Sequence, residues 1–450
     1  MNKKYDVIIV GAGPGGLMAA KVAGENGLKV ALLDRKEKIV EIGRCCATMF
    51  AVESDYYFGE RMYFNEKKGR FVFPVTGFSL KYDGPYHNFY GWHVYTSDAK
   101  HYIKLGDYNE NVKKGDQGRL SVTYSKSHLL KSLLNDAKES GVDVYPGTNV
   151  VDIRCNGEVN EVITSEGKVF QGVFTIAADG INSRLAKILN LNKERRFYGT
   201  MQGVSYYMSG LDLPHPEVLV MAMLYHKKAG YPVAYWIEPS PFEENEYWVY
   251  GGGASHPDID YKEYLDFFIY ESPFSKFFTR PKIRKVMAHV ANMWSPVPTP
   301  FRDNVLIVGD AGWTVEAECT GSMMCGMKAA HALSEAFKDG KLNREGVANY
   351  IDWWQKSFPE SQNYREFLEI MSGTFVGEDA FNYLYSLVTE TLPCTLNPFN
   401  LVKYINAEIV RQMDKIQREK PIILEKMKHL SSLSLETQME PFVKSGFPNF

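Results

Sequence analysis

Tyr5-Asp-Val-Ile-Ile-Val10 runs directly into Gly11-Ala-Gly-Pro-Gly-Gly16, and Leu17–Asn26 then carries apolar residues at helical spacing until Gly27 stops it. A second apolar run, Lys29–Asp34, follows at once. The order predicts strand, tight turn, helix and strand within about thirty residues, the setting a dinucleotide fingerprint requires. Gly11 allows the turn, Gly13 offers no side chain against a pyrophosphate, and Gly16 lets the helix lie close to the strand. Pro14 and Gly15 complete the phosphate loop, whose helix N-terminus presents free N–H groups and a partial positive charge. Asp34 ends the second strand, with Arg35 beside it. A carboxylate there accepts both hydroxyls of an adenosine ribose and repels a 2'-phosphate, so FAD or NAD fits better than NADP.

Composition narrows the rest. At 450 residues the chain has room for two or three domains. The formal net charge is −3 and no Lys/Arg block stands out, which argues against nucleic acid as a partner. No run of about 18 uncharged apolar residues predicts a spanning helix. Met1-Asn-Lys-Lys leads straight into the first strand, leaving no room for a signal peptide, so the expected location is cytoplasmic. The 6 cysteines form no C-x-x-C pair, and a disulfide framework is not expected.

Further along, residues 56–124 are aromatic and Gly-punctuated and read as short antiparallel strands. Ser127–Ser140 reads as a helix and Val162–Phe170 as a hairpin around a Ser-Glu-Gly turn. Gly203–Tyr207, Glu217–Met223, Val233–Ile237 and Tyr247–Gly252 suggest a second sheet. Val305–Val308 reads as a strand, Met323–Phe337 as a helix, and the remainder as helical: Val347–Phe358, Tyr364–Met371, Leu384–Thr391 and Ile405–Arg418, broken by Pro421. Ile405, Ile409, Met413 and Ile416 fall at helical spacing, which suits core packing or a dimer face, with peripheral membrane contact as the alternative for a lipid substrate.

The glycine turn, Ala178-Asp179-Gly180 and Gly309-Asp310-Ala311 each end an apolar strand, where open parallel sheets bind ligands. On these motifs the chain resembles the FAD-dependent reductases and hydroxylases of the para-hydroxybenzoate hydroxylase fold. Glu41-Ile-Gly-Arg-Cys-Cys46 and Thr320-Gly321 bring it closer to geranylgeranyl reductases, which saturate isoprenoid double bonds. The resemblance covers roughly residues 1–345. It implies an α/β fold: a discontinuous Rossmann-like FAD domain (residues 1–75, 120–190 and 290–345) and an antiparallel-sheet substrate domain (76–119 and 191–289), followed by the helical C-terminal region (346–450) read from its apolar spacing. It implies that Asp310 accepts from the ribityl chain, that Gly309 leaves room for the pyrophosphate, and that the helix after Gly321 points its N-terminus at the flavin. Asp179 and Gly180 would hold the strand crossing, with Arg184 nearby, and Arg44 would meet the phosphates or the adenosine. The family carries an Arg at the start of the helix over Ser127–Ser140, and Lys126 is the nearest substitute here. The Pro usual after Gly-Asp is missing from Val315-Glu-Ala-Glu-Cys-Thr-Gly321.

Family reductases place a cysteine beside the flavin after the second strand, which points to Cys45 or Cys46 as a proton donor or pocket-shaping residue, with Arg44 supplying a field. Cys319 and Cys325 read as flavin-side or simply buried thiols, and their spacing with His331 matches no standard zinc pattern. The family's Pro/Tyr/Trp substrate motif is partly echoed by Gly230-Tyr-Pro-Val-Ala-Tyr-Trp-Ile-Glu-Pro239, which makes Tyr235 a catalytic candidate. Gly251-Gly-Gly253 opens no helix and is not read as a second nucleotide site. The expected activity is hydride transfer from reduced flavin N5 to a C=C bond of a small apolar (isoprenoid-like), aromatic or activated substrate. Electrons would come from an external donor: NAD(P)H, ferredoxin or a flavoprotein. The alternatives are a flavin monooxygenase and a carrier resembling the dehydrogenases that serve electron-transferring flavoprotein. The latter add a cysteine cluster, whereas Cys394 stands alone in the C-terminal part.

Overall fold

The computed structural model describes residues 3–56, 58–226, 232–256, 258–312, 319–358, 376–395, 398–434 and 437. Its centre is the strand Lys4–Val10, whose Val7, Ile8 and Ile9 are wholly buried. A strand covered on both faces reads as a continuous apolar run rather than an alternation. It pairs in parallel with Val30–Leu33 on one side and Val169–Ala177 on the other. Asp143–Tyr145 extends the sheet beyond Val30–Leu33, and Val305–Ile307 pairs in parallel with the C-terminal end of Val169–Ala177. The hairpin Asn160–Thr164 to Val169–Ala177 is antiparallel, as its Ser-Glu-Gly turn requires, and Val150–Cys155 continues it.

The helix Pro14–Glu25 starts with Pro at its first turn, where the missing N–H costs nothing. Beside it lie Lys126–Glu139 and the long helix Cys319–Asp339, which begins one turn earlier than its apolar spacing suggests. The crossing of the first and last of these is close. A Cβ on Gly326 would lie 2.1 Å from the Gly15 carbonyl oxygen.

A second eight-stranded sheet holds, in order, Lys282–Trp294, Phe197–Ser209, Glu246–Ala254, Pro232–Pro239, Val218–Tyr225, Gly91–Tyr95, Tyr102–Leu105 and Thr391–Leu392. It is antiparallel except where Val218–Tyr225 meets Gly91–Tyr95 and where Thr391–Leu392 joins the edge. One face packs on the helix Tyr261–Tyr270, with Tyr235, Val249, Leu265 and Phe268 in one buried cluster. The other face meets the connection that follows Val30–Leu33 and, farther along, the C-terminal helices.

Two details of the C-terminal part differ from the sequence reading. Leu384–Thr391 is not one helix: Glu378–Ser386 is helical, and Thr391–Leu392 is an edge strand of the second sheet. Pro421 opens the helix Pro421–Ser432 at its first turn, so the proline that ends one run starts the next. Ile405, Ile409 and Ile416 are buried in the cluster that includes Trp92 and Leu219, so this stripe is intramolecular core. The helix expected over Tyr364–Met371 lies outside the described residues, as do residues 313–318 of the stretch after Gly309-Asp310. Among the described residues no helix is long and apolar enough to cross a membrane.

Candidate active site

The glycine turn forms because three of its glycines have no alternative. Gly11 has φ +102°, and a Cβ there would lie 2.2 Å from the Ala178 carbonyl oxygen. A Cβ on Gly16 would lie 1.9 Å from the Gly11 oxygen, and one on Gly15 would meet Ser322 at 2.8 Å. Gly13 differs: nothing stands within 4 Å of its would-be Cβ. The turn is therefore packed shut on every side but one, and that side opens at the helix N-terminus.

The carboxylates bordering this opening divide their work. Asp34, 7% exposed, accepts from the Ala12 N–H at 2.6 Å and the Lys36 N–H at 2.8 Å, so it braces the glycine turn while keeping lone pairs for a sugar. Arg35 beside it is exposed. Asp179 is committed locally. It accepts from the Ser183 hydroxyl and from the N–H groups of Arg184 and Leu185, at 2.5, 2.8 and 3.1 Å, and so caps the short helix Arg184–Ile188. Gly180 follows with φ +86° and open space. The Arg184 guanidinium donates to the Val150 carbonyl at 3.1 Å and is thereby turned to the sheet.

Gly309, at φ +62°, and Asp310 form a tight turn after Val305–Ile307. The turn is held from below by a residue the motif search missed. Buried Arg195 donates to the carbonyls of Ser295, Ala311 and Gly312 at 2.6, 3.4 and 3.2 Å. Burial pushes the Asp310 carboxyl up, against the pull of Arg44 and Lys126. Arg44 approaches it at 3.3 Å, so Arg44 serves this third strand end.

The two adjacent cysteines have opposite surroundings. Cys45 lies against the second sheet, its backbone N–H on the Ala288 carbonyl at 3.2 Å and its thiol 2.8 Å from His289 Nδ1. Burial pushes that thiol up to about 12 and holds His289 below the usual imidazole range, so both are neutral near pH 7. Cys46 points the other way, with Lys126 donating to its sulfur at 3.4 Å. A hydrogen bond with the Cys319 thiol brings Cys46 well below the ordinary thiol value; burial opposes this and the Lys126 charge adds to it. Burial works against the Lys126 ammonium, but the negative charge shared by the Cys46–Cys319 pair outweighs that and raises its pKa. Cys325, in the same long helix, is a buried neutral thiol near Gly309. Gly321 and the buried Thr320 occupy that helix's first turn.

Cys45 faces an aromatic wall. Across antiparallel strands, directly opposed residues share a face. Tyr207 opposes Trp248, Ser205 opposes Tyr250, and Tyr250 and Trp248 oppose Trp236 and Glu238. Cys45, Ile42 and Ala47 pack on this face with Tyr207, Trp248, Met287, Trp236 and Tyr250. Tyr250 stacks between Trp248 and His289, at 5.2 and 5.8 Å. A Cβ at Gly203 would strike the Tyr250 ring at 2.3 Å and one at Gly252 its hydroxyl oxygen at 2.0 Å, so glycines in two neighbouring strands make room for this side chain.

Tyr235 is not part of this wall. Successive strand residues alternate, so Tyr235 faces the opposite side from Trp236. Its hydroxyl bonds His226 Nε2 at 2.7 Å and the Tyr264 carbonyl at 3.2 Å, and its ring stacks on Phe268. The structure therefore puts Trp236 and Glu238, and not the sequence candidate Tyr235, on the sheet face against which Cys45 packs. Glu238, His289 and Tyr250 carried no motif. A lone carboxylate inside an otherwise apolar strand was the one signal that could have flagged Glu238.

The donor set fits FAD. The open space at Gly13 lies beside the helix N-terminus, Asp34 keeps free lone pairs, and the turn at Gly309-Asp310 borders both the Cys46 cluster and the long helix. A family model described as an FAD binding domain matches residues 4–50. The digeranylgeranylglycerophospholipid reductases of Methanocaldococcus jannaschii and Methanospirillum hungatei are 24% and 23% identical to the chain, covering 94% and 90% of it and 99% and 95% of their own lengths. Among solved structures, a geranylgeranyl bacteriochlorophyll reductase-like protein of Thermoplasma acidophilum matches with TM-score 0.67 at 16% identity, covering 95% of this chain and 99% of its own. A point mutant of the halogenase PltM in complex with FAD matches with TM-score 0.59 at 12% identity, covering 97% of this chain and 96% of its own. The nucleotide loop and the matching family model point to an FAD-dependent oxidoreductase, and in sequence and fold the chain is similar to reductases of the geranylgeranyl type.

Proposed function

We propose that the protein reduces a carbon–carbon double bond of an isoprenoid-like or otherwise activated alkene. The observation that carries this reading is the neutral Cys45 thiol, hydrogen-bonded to His289 and set against an aromatic wall, on the connection that follows the second strand of the nucleotide-binding unit. FAD, when bound and reduced, supplies the hydride. Gly11, Gly13, Pro14, Gly15 and Gly16 would hold its pyrophosphate, Asp34 and Arg35 its adenosine end, and Gly180, Gly309, Asp310, Arg44 and Gly321 its middle and flavin end.

The chain's own residues then have three tasks. Trp248, Tyr250, Tyr207 and Trp236 line a low-polarity surface that orients an apolar chain and excludes water. Cys45 holds a proton at Sγ for the carbon opposite the hydride, and His289 Nδ1 stands at hydrogen-bond distance to return one. Cys46, paired with Lys126, is the poorer partner for that step because its hydrogen bond with Cys319 and the Lys126 charge lower its pKa and favour the thiolate. It instead keeps a compact ion pair beside Asp310.

The names of the relatives support an isoprenoid substrate, and the aromatic wall supports an apolar one. A single dinucleotide loop supports an external electron donor: a transiently bound NAD(P)H, a ferredoxin or another flavoprotein. The reading is tested by reducing the yellow protein anaerobically and adding geranylgeranyl diphosphate or an unsaturated glycerophospholipid ether. Return of the oxidised flavin spectrum with a saturated product is the expected result. A flavin that stays reduced with every alkene, yet consumes oxygen faster when substrate is present, would replace this reading with a hydroxylase.

A further inference from the structure

The aromatic wall contains a flaw that an all-hydrocarbon substrate would not mend. Glu238, in the strand Pro232–Pro239, is 1% exposed, and neither of its carboxyl oxygens has a hydrogen-bond partner. Directly opposite in the antiparallel register stands Trp248, 4% exposed, and its indole N–H has no partner either. The two are neighbours on one face and yet do not bond each other. Buried polar groups are almost always paired, so two adjacent orphans on a site-facing surface need an occupant. Their surroundings on that face are Trp236, Tyr207, Tyr250 and the loop carrying Cys45.

Building on the reductase reading, we propose that the Glu238 carboxyl and the Trp248 indole N–H together receive an uncharged oxygen function of the substrate, so that the protein acts on an oxygenated alkene, an enal, enone or allylic alcohol, and not on a bare hydrocarbon chain. Chemistry selects this class. Burial, reinforced by the Cys46 charge, pushes the Glu238 carboxyl well above the usual carboxylate range, so near neutral pH it offers one O–H donor and one carbonyl acceptor. A carbonyl oxygen accepts from both the carboxylic acid and the indole. A hydroxyl accepts from one of them and can donate to the acid's carbonyl oxygen. A phosphate would bring an anion beside a carboxyl that burial already keeps from ionising, and none of Glu238, Trp248 and Trp236 supplies a cation to meet it.

The test uses the full-length oxidised flavoprotein and three probes of one chain length: farnesal, farnesol and farnesene. Binding is read from the perturbation of the flavin absorption band and from tryptophan fluorescence. Wild type should bind farnesal and farnesol about tenfold tighter than farnesene, the worth of one good buried hydrogen bond. Glu238→Leu and Trp248→Phe should lose that preference, while Glu238→Gln, which still donates and accepts, should keep most of it. A second measurement needs no turnover. The infrared spectrum at pH 7 should contain a protonated carboxylic acid C=O band that disappears in Glu238→Gln and shifts when farnesal binds to wild type. Equal affinity for farnesal and farnesene, a preference that survives in Glu238→Leu, failure of all three probes to bind, or absence of the carboxylic acid band would each overturn the proposal. Anaerobic reoxidation with hydrocarbon alkenes remains the separate test of the reductase reading, so a protein that reduces farnesene freely but ignores the oxygen would sink this inference alone.

Discussion

The nucleotide end and the aromatic wall of this site are built by different means. At the nucleotide end, each feature lies within a few consecutive residues: Gly11 to Gly16, Asp34 with Lys36, Gly309 with Asp310. The wall draws single residues from the strands Phe197–Ser209, Pro232–Pro239, Glu246–Ala254 and Lys282–Trp294 and a loop from far upstream. The first kind of site is held by backbone geometry and tolerates little. The second is held by which face each strand residue takes, so its chemistry depends on parity and register. Cys45 and Cys46 sit at the seam between the two, one belonging to each.

The sharpest break in this comparison is Cys45→Ala. If Cys45 supplies the proton, the variant should keep its flavin and its fold while alkene-dependent reoxidation slows by about a hundredfold to ten-thousandfold, the usual worth of a general acid. Stopped-flow measurement of the flavin band checks this, and an unchanged rate would move the proton source elsewhere.

The next effect compares two glycines of one turn. Gly16→Ala must push the Gly11 carbonyl aside and should cost about 1–3 kcal/mol of stability, seen as a lower melting temperature of the flavin-free protein. Gly13→Ala enters open space and should leave that melting temperature unchanged while weakening FAD retention on gel filtration. Equal melting losses would mean that Gly13 is structural and not a phosphate seat.

A smaller effect separates the cysteines. The Cys46 pKa is lowered, so its thiolate persists below the ordinary thiol range and disappears only as pH falls through the lowered value. The Cys45 pKa is raised to about 12, so its thiolate appears only at high pH. Iodoacetamide at pH 7 should therefore label Cys46 first in the flavin-free protein, by peptide mass mapping. Lys126→Met should slow that labelling by about tenfold for each pKa unit the ammonium supplies. Labelling of Cys45 before Cys46 would reverse the assignment.

The smallest expected effect is Tyr235→Phe. Losing the hydroxyl bonds to His226 and the Tyr264 carbonyl should cost about 1 kcal/mol of stability and leave turnover unaffected. A large loss of turnover with normal stability would return Tyr235 to the reaction.

Much of the nucleotide end was legible because it is local. A glycine that must escape a carbonyl two ångströms away is a glycine in the sequence, and a strand buried on both faces is an unbroken apolar run. Tyr235 shows the limit. Its neighbour Trp236 faces the site and Tyr235 does not, and a motif of adjacent aromatic residues carries no parity until the register with Glu246–Ala254 is known. Pro421 shows another. A proline marks a helix boundary, but whether the boundary is an end or a beginning depends on what the following turn can bury.

By itself the order of residues determined a parallel sheet with a dinucleotide loop, a second aromatic sheet, helices in the C-terminal part and three strands that end in glycine turns, because each is written in short-range periodicity and in residue types that permit only one backbone. Only the tertiary structure decided that Cys45 is a neutral thiol on His289 and Cys46 an ion-paired one on Lys126, that Arg195 pins the late turn, and that Glu238 lies unpartnered beside Trp248. Those properties come from burial and from neighbours far apart along the chain, and a charge or a proton responds to what surrounds it in space.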